Sequence, residues 1–247
     1  MAQQQPGNFG EDFAGVLFSP QALIAWLVLA GMAGGQAVLV TARLAALAAS
    51  IGYAAIGLLM TWLALLQGIV ALAVLFFLSR MLGSADGSAG KANGGAWFGF
   101  ALLYLFAVWI ANAFAAGIAG IVAQQSPMLV GIATGLVALV TRVCLFPLLV
   151  RLVSLAHDRN GPDFSEIWDF LTNVRPELYG GYAGLAMLLA FLPMIGMLAR
   201  LGSPGGMAGA GVYLAVALAT SAGQIVLLSY AVATYRFGNR GSGDTFS

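Results

Sequence analysis

The sequence predicts an all-α protein of the polytopic membrane class, a bundle of about six transmembrane helices that form a single membrane domain. Of its 247 residues, 61% are hydrophobic and only 8% are charged, whereas about a quarter of the residues of ordinary soluble domains carry a charge. The apolar residues form long blocks, and a block of about 20 is enough to cross a bilayer. A soluble fold of this size would lack polar residues to cover its surface, so we expect the chain to lie in a cell membrane.

The predicted spans follow the apolar blocks in chain order. Residues 44–79 contain no charged side chain, a run too long for one untilted span, so the boundary between the first two spans stays open. Gly-rich or Pro-containing segments separate the later blocks, and their composition predicts loops. The spans are predicted over residues 20–42, 53–79, 96–122, 128–152, 178–198 and 212–235.

A polar segment, residues 151–181, separates the fourth and fifth predicted spans. Asp163 and Glu166 have the spacing of a capping box, so a helix is predicted over residues 163–174. About a dozen residues are too few to cross a bilayer core of about 30 Å, and the pattern is amphipathic, which predicts an interfacial helix. Its apolar face is Phe164, Ile167, Trp168, Leu171 and Val174, and its polar face is Ser165, Glu166, Asp169, Thr172 and Asn173.

This interfacial helix is also the predicted docking element for a protein partner, in the membrane or at its cytoplasmic face. Its polar face is acidic, and an acidic face is not attracted to anionic lipid headgroups, which favours a protein partner. The alternative is a helix that only packs on the bilayer or on neighbouring spans. The predicted docking residues are Phe164, Glu166, Ile167, Trp168, Asp169 and Leu171.

The basic residues predict how the bundle is oriented. In the six-span arrangement one side holds only Arg43 and Arg200. By the positive-inside rule the other side, with both termini, faces the cytoplasm, and we expect a bacterial inner membrane. The net charge of +1 gives no electrostatic reason to bind nucleic acid. The basic residues on the predicted cytoplasmic side are Arg80, Lys91, Arg151, Arg159, Arg175, Arg236 and Arg240.

The predicted spans lack the residues of intramembrane catalysis. None contains an acidic residue or a histidine, so paired aspartates, a Ser–His pair and an HExxH motif are absent from them. The same composition disfavours histidine-ligated haem and a carboxylate-based proton pump. The one histidine, His157, lies in the predicted cytoplasmic segment, where we expect it to be solvated. We therefore predict a protein that is not an enzyme, with no catalytic residue, metal site or cofactor.

Arg142 is the one charged residue predicted deep inside a span, because Arg151, at the end of the fourth span, marks the membrane interface. About nine residues of helix separate it from Arg151, which places it about 13 Å deeper, near the bilayer midplane. An unpaired cation there costs at least a few kcal/mol, so Arg142 must face protein or water. Its candidate partners are Gln36, Gln67, Asn112, Thr141, Gln224 and the backbone carbonyls that Pro147 frees.

Two functions agree with these features. The first is a non-catalytic subunit, assembly factor or scaffold of a membrane complex, in which Arg142 ties helices together and is enclosed without a cavity. The second is a transporter or permease component for a small anion or a lipid. Its ligand site would consist of Arg142, Asn112, Gln224 and Gln67. We expect the enclosed arrangement, and with it the subunit.

Glycine is abundant, with 33 residues in the chain. Glycines four residues apart on one face let two membrane helices approach closely. We therefore expect a bundle that packs on small residues, with larger apolar side chains facing lipid. The predicted close-contact pairs are Gly31/Gly35, Gly131/Gly135 and Gly180/Gly184.

Overall fold

The computed structural model describes residues 8–48, 53–85, 90–122, 127–158, 161–192 and 207–240. Within these ranges every regular element is a helix, which confirms the all-α prediction. The helix over the predicted third span agrees with its predicted bounds to within two residues, whereas those over the first, second, fourth and sixth spans extend five or six residues past at least one predicted end. The helices are α1 Phe9–Leu17, α2 Pro20–Ala48, α3 Tyr53–Ala85, α4 Gly94–Val122, α5 Pro127–His157, α6 Phe164–Asp169, α7 Pro176–Ala190 and α8 Met207–Arg240.

Four of the described helices, α3, α4, α5 and α8, are long and apolar enough to cross a membrane. A fifth span is obtained if α1 and α2, which meet at 55°, form one broken span. The fold is therefore compatible with a multi-pass membrane protein. The predicted count of six is not confirmed, because part of the predicted fifth span, residues 193–198, lies outside the described residues.

A serine and a proline make the bend between α1 and α2. The Ser19 hydroxyl donates to the Val16 carbonyl at 2.7 Å and accepts from the Ala22 N–H at 3.1 Å, so one side chain satisfies the ends of both helices. Pro20 follows as the first residue of α2. A proline suits this position because a helix does not use the first backbone N–H.

One end of the bundle gathers the helix ends that carry basic residues. The Arg80 guanidinium, near the end of α3, donates to the carbonyls of Ala156 and His157 at the end of α5, both at 3.4 Å. The rings of Phe9 in α1 and Phe237 in α8 lie 5.9 Å apart. That this end faces the cytoplasm stays a prediction. We call it the basic end; its described basic residues are Arg80, Lys91, Arg151, Arg175 and Arg236.

Helix α5 lies at the centre of the bundle, in contact with α3, α4, α6, α7 and α8. Pro147 divides it into two unlike parts, because residues 146–150 and 152–157 are buried whereas most residues between 131 and 145 are only half-buried. The core is therefore tightest toward the basic end. There Phe146 stacks on Tyr182 with 3.9 Å between ring centroids. The outer faces of the helices expose large apolar side chains, as expected where helices face lipid.

Glycine brings helices together mainly at positions other than the predicted pairs. A Cβ on Gly68 would lie 2.9 Å from Leu105, and one on Gly223 would overlap Leu189. The spacing of a glycine pair does not show which face of the helix meets a neighbour, and two of the three predicted pairs show no close contact among the described residues. A Cβ would meet no described neighbouring group at Gly31, Gly35, Gly180 or Gly184.

The polar segment forms the short helix α6, and its predicted capping box is confirmed. The Asp163 carboxylate accepts from the Glu166 N–H at 2.9 Å, and the Glu166 carboxylate accepts from the Asp163 N–H at 2.7 Å. The helix then widens into a π-helical turn, Phe170–Val174, in which the Arg175 N–H donates to the Phe170 carbonyl at 2.7 Å. That this helix lies at a membrane interface is not confirmed.

The π-helical turn changes which side chains of this segment are buried. Its extra residue rotates Val174 to the surface, where it is 47% exposed. Phe164 and Trp168 also lie outside. The predicted apolar face is therefore wrong in part, since the buried side chains are Ile167, Phe170 and Leu171.

Candidate functional site

A cavity of about 630 Å³ lies among α3, α4, α5, α7 and α8. Its volume falls within the range of small-molecule sites, about 300 to 1,000 Å³. Helix α5 supplies much of the wall, between residues 131 and 145, which is the half-buried part before Pro147. The polar residues that line the cavity are Gln67, Tyr104, Asn112, Thr134, Thr141, Arg142 and Gln224.

The four residues of the predicted ligand site all line this one cavity. Gln67 comes from α3 and Asn112 from α4, while Arg142 lies on α5 and Gln224 on α8. The fold therefore brings together side chains from four separate helices. Their role in binding a ligand stays a prediction. The side chain of Gln36, another expected partner of Arg142, lies outside the part of the structure that is described.

The sequence does not predict two of the polar lining residues, Tyr104 and Thr134. A threonine in an apolar helix usually bonds to its own backbone, and the Thr134 hydroxyl indeed donates to the Gly131 carbonyl at 3.1 Å. Thr141, which was expected to pair with Arg142, donates instead to the Val137 carbonyl at 2.7 Å. A tyrosine or a threonine in an apolar run does not indicate a cavity, so no pattern in the sequence distinguishes Tyr104 and Thr134.

The Arg142 side chain lines the cavity but lacks a full set of hydrogen-bond partners. Its Nη1 atom is buried and has no hydrogen-bond partner among the described groups, and the same is true of Gln224 Oε1. The described residues that line the cavity include no carboxylate. The expectation that amides and carbonyls enclose Arg142 without a cavity is therefore wrong. Buried donors and acceptors in proteins are almost always paired, so a ligand or water is the natural partner at this place.

Tyr179 provides a donor for the backbone carbonyl that Pro147 leaves free. Pro147 has no N–H, so the carbonyl of Val143, four residues earlier, lacks its helical donor. The Tyr179 hydroxyl, on α7, donates to that carbonyl at 3.0 Å. A carbonyl that was expected to pair with Arg142 thus accepts a hydrogen bond from a neighbouring helix.

Glycines at the cavity wall set how closely the helices approach. A Cβ on Gly135 would lie 2.9 Å from the Phe191 ring and 3.4 Å from the Ala190 carbonyl, so this member of the predicted Gly131/Gly135 pair does allow a close contact. Gly68 does the same between α3 and α4. The remaining wall is built largely from small side chains, which leave space beside Arg142. These include Ala71, Ala111, Ala115 and Ala138.

An apolar groove of about 490 Å³ adjoins the cavity between α4 and α5. Phe114 and Val140, at 64% and 60% exposed, place it on the outer surface of the bundle. Cys144, the only cysteine in the chain, also lines it. The groove and the cavity share four lining residues: Ala111, Val137, Thr141 and Leu145.

Only some of the predicted docking residues of α6 are accessible. Ile167 and Leu171 have no exposed surface, because the protein itself covers them, and they cannot contact a partner. Phe164 and Trp168 are 41% and 46% exposed, and their rings stack at 6.4 Å. Glu166 and Asp169 are also exposed. The docking prediction, which remains untested, therefore applies to these four residues.

His157 is not solvated, contrary to the expectation from the sequence. Helix α5 runs five residues beyond its predicted end at residue 152, so His157 becomes its last residue. The side chain is 4% exposed, and its ring lies edge-on to Tyr235 at 5.2 Å. This histidine is part of the packing at the basic end.

The described elements form an α-helical protein that is compatible with a multi-pass membrane protein and has a polar cavity inside the bundle. The described ranges contain no group of three or more His, Cys, Asp or Glu side chains that could hold a metal ion. The chain matches no protein-family model, and comparisons with curated proteins and with solved structures give no match. The case for function therefore depends on the cavity.

Proposed function

We propose that this protein binds an anionic ligand in the cavity around Arg142 and acts as a transporter or permease component for a small anion or a lipid. The observation that carries the proposal is the buried, unpartnered Nη1 of Arg142 beside a cavity whose described lining holds no carboxylate. A buried cation without a counter-charge is costly. An anion in the cavity would offset that cost.

The chemistry of the cavity suits a negatively charged oxygen ligand. A guanidinium binds a carboxylate or phosphate through charge-assisted hydrogen bonds, which are stronger than neutral ones. The amide groups of Gln67, Asn112 and Gln224 add neutral donors that can complete the coordination of such an oxygen. The ligand would be bound and released unchanged, so the proposal includes no enzymatic reaction.

The depth of Arg142 favours transport over recruitment of a ligand at the surface. Arg142 lies near the middle of a helix that is long and apolar enough to span the bilayer. Transporters commonly hold their substrates near the bilayer midplane, between helices that can rearrange. A site at this depth suits a ligand that passes from one side to the other.

The first prediction concerns Arg142→Gln. Inorganic phosphate should raise the melting temperature of the purified native protein in detergent at constant ionic strength, because a ligand of the folded state stabilises it. Arg142→Gln should lose this effect yet stay folded, with equal or greater stability without phosphate, because the variant removes a charge that has no counter-charge in the described cavity lining. Arg175→Gln is the matched control, since Arg175 is half exposed at the basic end.

The two variants separate binding at the cavity from binding elsewhere. The same phosphate effect in Arg142→Gln as in the native protein would contradict the proposal. A rise in melting temperature with phosphate that is lost in Arg175→Gln but kept in Arg142→Gln would also contradict it.

A second candidate is the subunit or scaffold role, with a partner docked on α6. It is favoured by the stacked, exposed rings of Phe164 and Trp168 beside the exposed acids Glu166 and Asp169. Exposed aromatic residues are common anchors of protein interfaces. Such a role is compatible with ligand binding at Arg142, because the two features lie on different parts of the molecule.

A further inference from the structure

We infer that the ligand of this protein is an anionic amphiphile, with its headgroup at Arg142 and its apolar chain in the groove between α4 and α5. The inference rests on the proposed anion binding at Arg142 and names the class of molecule that binds. The class comprises molecules with an acidic oxygen headgroup, a phosphate monoester or a carboxylate, on a single long hydrocarbon chain.

The continuity of the cavity and the groove carries this inference. They have four lining residues in common, so their walls meet along one stretch of α4 and α5. Thr141 belongs to both, and it is the direct neighbour of Arg142 in the chain. A molecule whose polar end pairs with Arg142 therefore has an apolar surface immediately beside it.

The two spaces have opposite chemical character. The groove lining consists of aliphatic and aromatic side chains with Thr141 and Cys144, and it contains no charged residue. Along α5 it extends over about nine residues, or about 13 Å, between Leu136 and Leu145. A small free anion would leave this groove unused, and an uncharged apolar molecule would leave Arg142 without a counter-charge. An anionic amphiphile satisfies both.

The exposed position of the groove indicates where the ligand comes from. Ile110, Phe114 and Val140 are 49%, 64% and 60% exposed on the outside of the bundle. If α4 and α5 cross the bilayer, this surface faces lipid chains. The amphiphile would then enter sideways from the membrane, its chain remaining next to lipid while its headgroup moves into the polar cavity.

Blocking the groove tests the inference, with dodecyl phosphate and inorganic phosphate as probes. Val140→Trp places a large ring in the groove, and Val28→Trp is the matched control on another exposed face, since Val28 is 47% exposed on α2. We expect Val140→Trp to raise the half-saturating concentration of dodecyl phosphate by about tenfold, because the headgroup loses the tethering supplied by its chain. Val28→Trp should leave that concentration unchanged, and neither variant should alter the response to inorganic phosphate.

Chemical modification covers the case in which Val140→Trp does not fold. Cys144 is the one cysteine of the chain and is exposed in the groove. Benzyl methanethiosulfonate attached to it in the folded native protein should weaken dodecyl phosphate binding to a similar extent. A reducing agent should restore binding, and Cys144→Ala should not respond to the reagent.

The outcomes distinguish this inference from the proposed function. If a blocked groove leaves dodecyl phosphate binding unchanged while Arg142→Gln abolishes it, the amphiphile inference fails and anion binding at Arg142 stands. If Arg142→Gln changes the binding of neither probe, both fail.

Discussion

Pro147 and Tyr179 together determine how one backbone carbonyl next to Arg142 in the chain is hydrogen-bonded. The proline leaves the Val143 carbonyl without a donor inside α5, and the tyrosine of α7 supplies one at 3.0 Å. The Nη1 atom of Arg142 does not use this acceptor, since it has no hydrogen-bond partner among the described groups. The bond also ties α7 to α5 at the level where the tight core gives way to the cavity.

A double-mutant cycle tests this bond. Tyr179→Phe removes the donor and leaves the Val143 carbonyl unpaired, so we expect a loss of about 1 kcal/mol in the free energy of unfolding. Pro147→Ala restores the helical N–H. In the Pro147→Ala background Tyr179→Phe should therefore lower the free energy of unfolding by much less.

The measurement is reversible unfolding of the four proteins in mixed detergent, with the coupling energy taken from the cycle. An equal cost of Tyr179→Phe in both backgrounds would show that the hydroxyl does not serve the carbonyl that the proline frees.

Single residues also show what a sequence can and cannot predict here. Arg142 stands out because a charge inside an apolar run is rare, and the amides named as its partners were few enough to identify. That they meet at a cavity depends on how four helices pack, which no local pattern encodes. His157 was misplaced because the end of α5 is fixed by packing against Tyr235 and by the bond from Arg80.

At the scale of the element, α6 begins with a cap that was predicted and continues into a π-helical turn that was not. The Glu166 N–H, and then the Ser165 hydroxyl, hold the pKa of the Asp163 carboxyl below its usual value. The cap therefore stabilises the helix above the ordinary pKa of an aspartate, and it is lost as the pH falls through the lowered pKa. The π-helical turn that follows has no comparable sequence signal, because it arises where Ile167, Phe170 and Leu171 pack into the core.

The exposed face of α6 gives the prediction at this scale. If a partner docks there, Trp168→Ser should reduce its stoichiometric co-purification several-fold, since an aromatic anchor at an interface commonly contributes 2 kcal/mol or more, roughly a thirtyfold change. The matched control is Trp62→Ser, because Trp62 is exposed on α3, away from α6. A partner that remains bound to Trp168→Ser, or that both variants lose equally, would contradict docking through this helix.

At the scale of the whole molecule, the bundle has two unlike ends. At the basic end the first turn of α1 meets the last turns of α8. Arg142 and Arg43 do not belong to this end. The tight core lies next to this end, and the cavity lies beyond Pro147 in the other direction. A tightly packed end beside a less densely packed, cavity-containing part agrees with the proposal that this protein moves a ligand.

The orientation of this bundle is a proposal that fusions can test. By the positive-inside rule the basic end faces the cytoplasm. Reporter fusions after Lys91, Asp163 and Gly241 should all score as cytoplasmic, and a fusion after Ser203 should score on the opposite side. A non-cytoplasmic result at Asp163 would rule out both the orientation and the six-span topology.

The position of a bound ligand tests the central claim most directly. A dodecyl phosphate analogue with a photoreactive group in its chain can be cross-linked to the purified protein, and the modified peptides identified by mass spectrometry. We predict cross-links within residues 107–114 and 136–145, competed by dodecyl phosphate and lost in Arg142→Gln but not in Arg175→Gln. Cross-links spread evenly over the exposed helix faces, or unchanged in Arg142→Gln, would contradict a ligand site at Arg142.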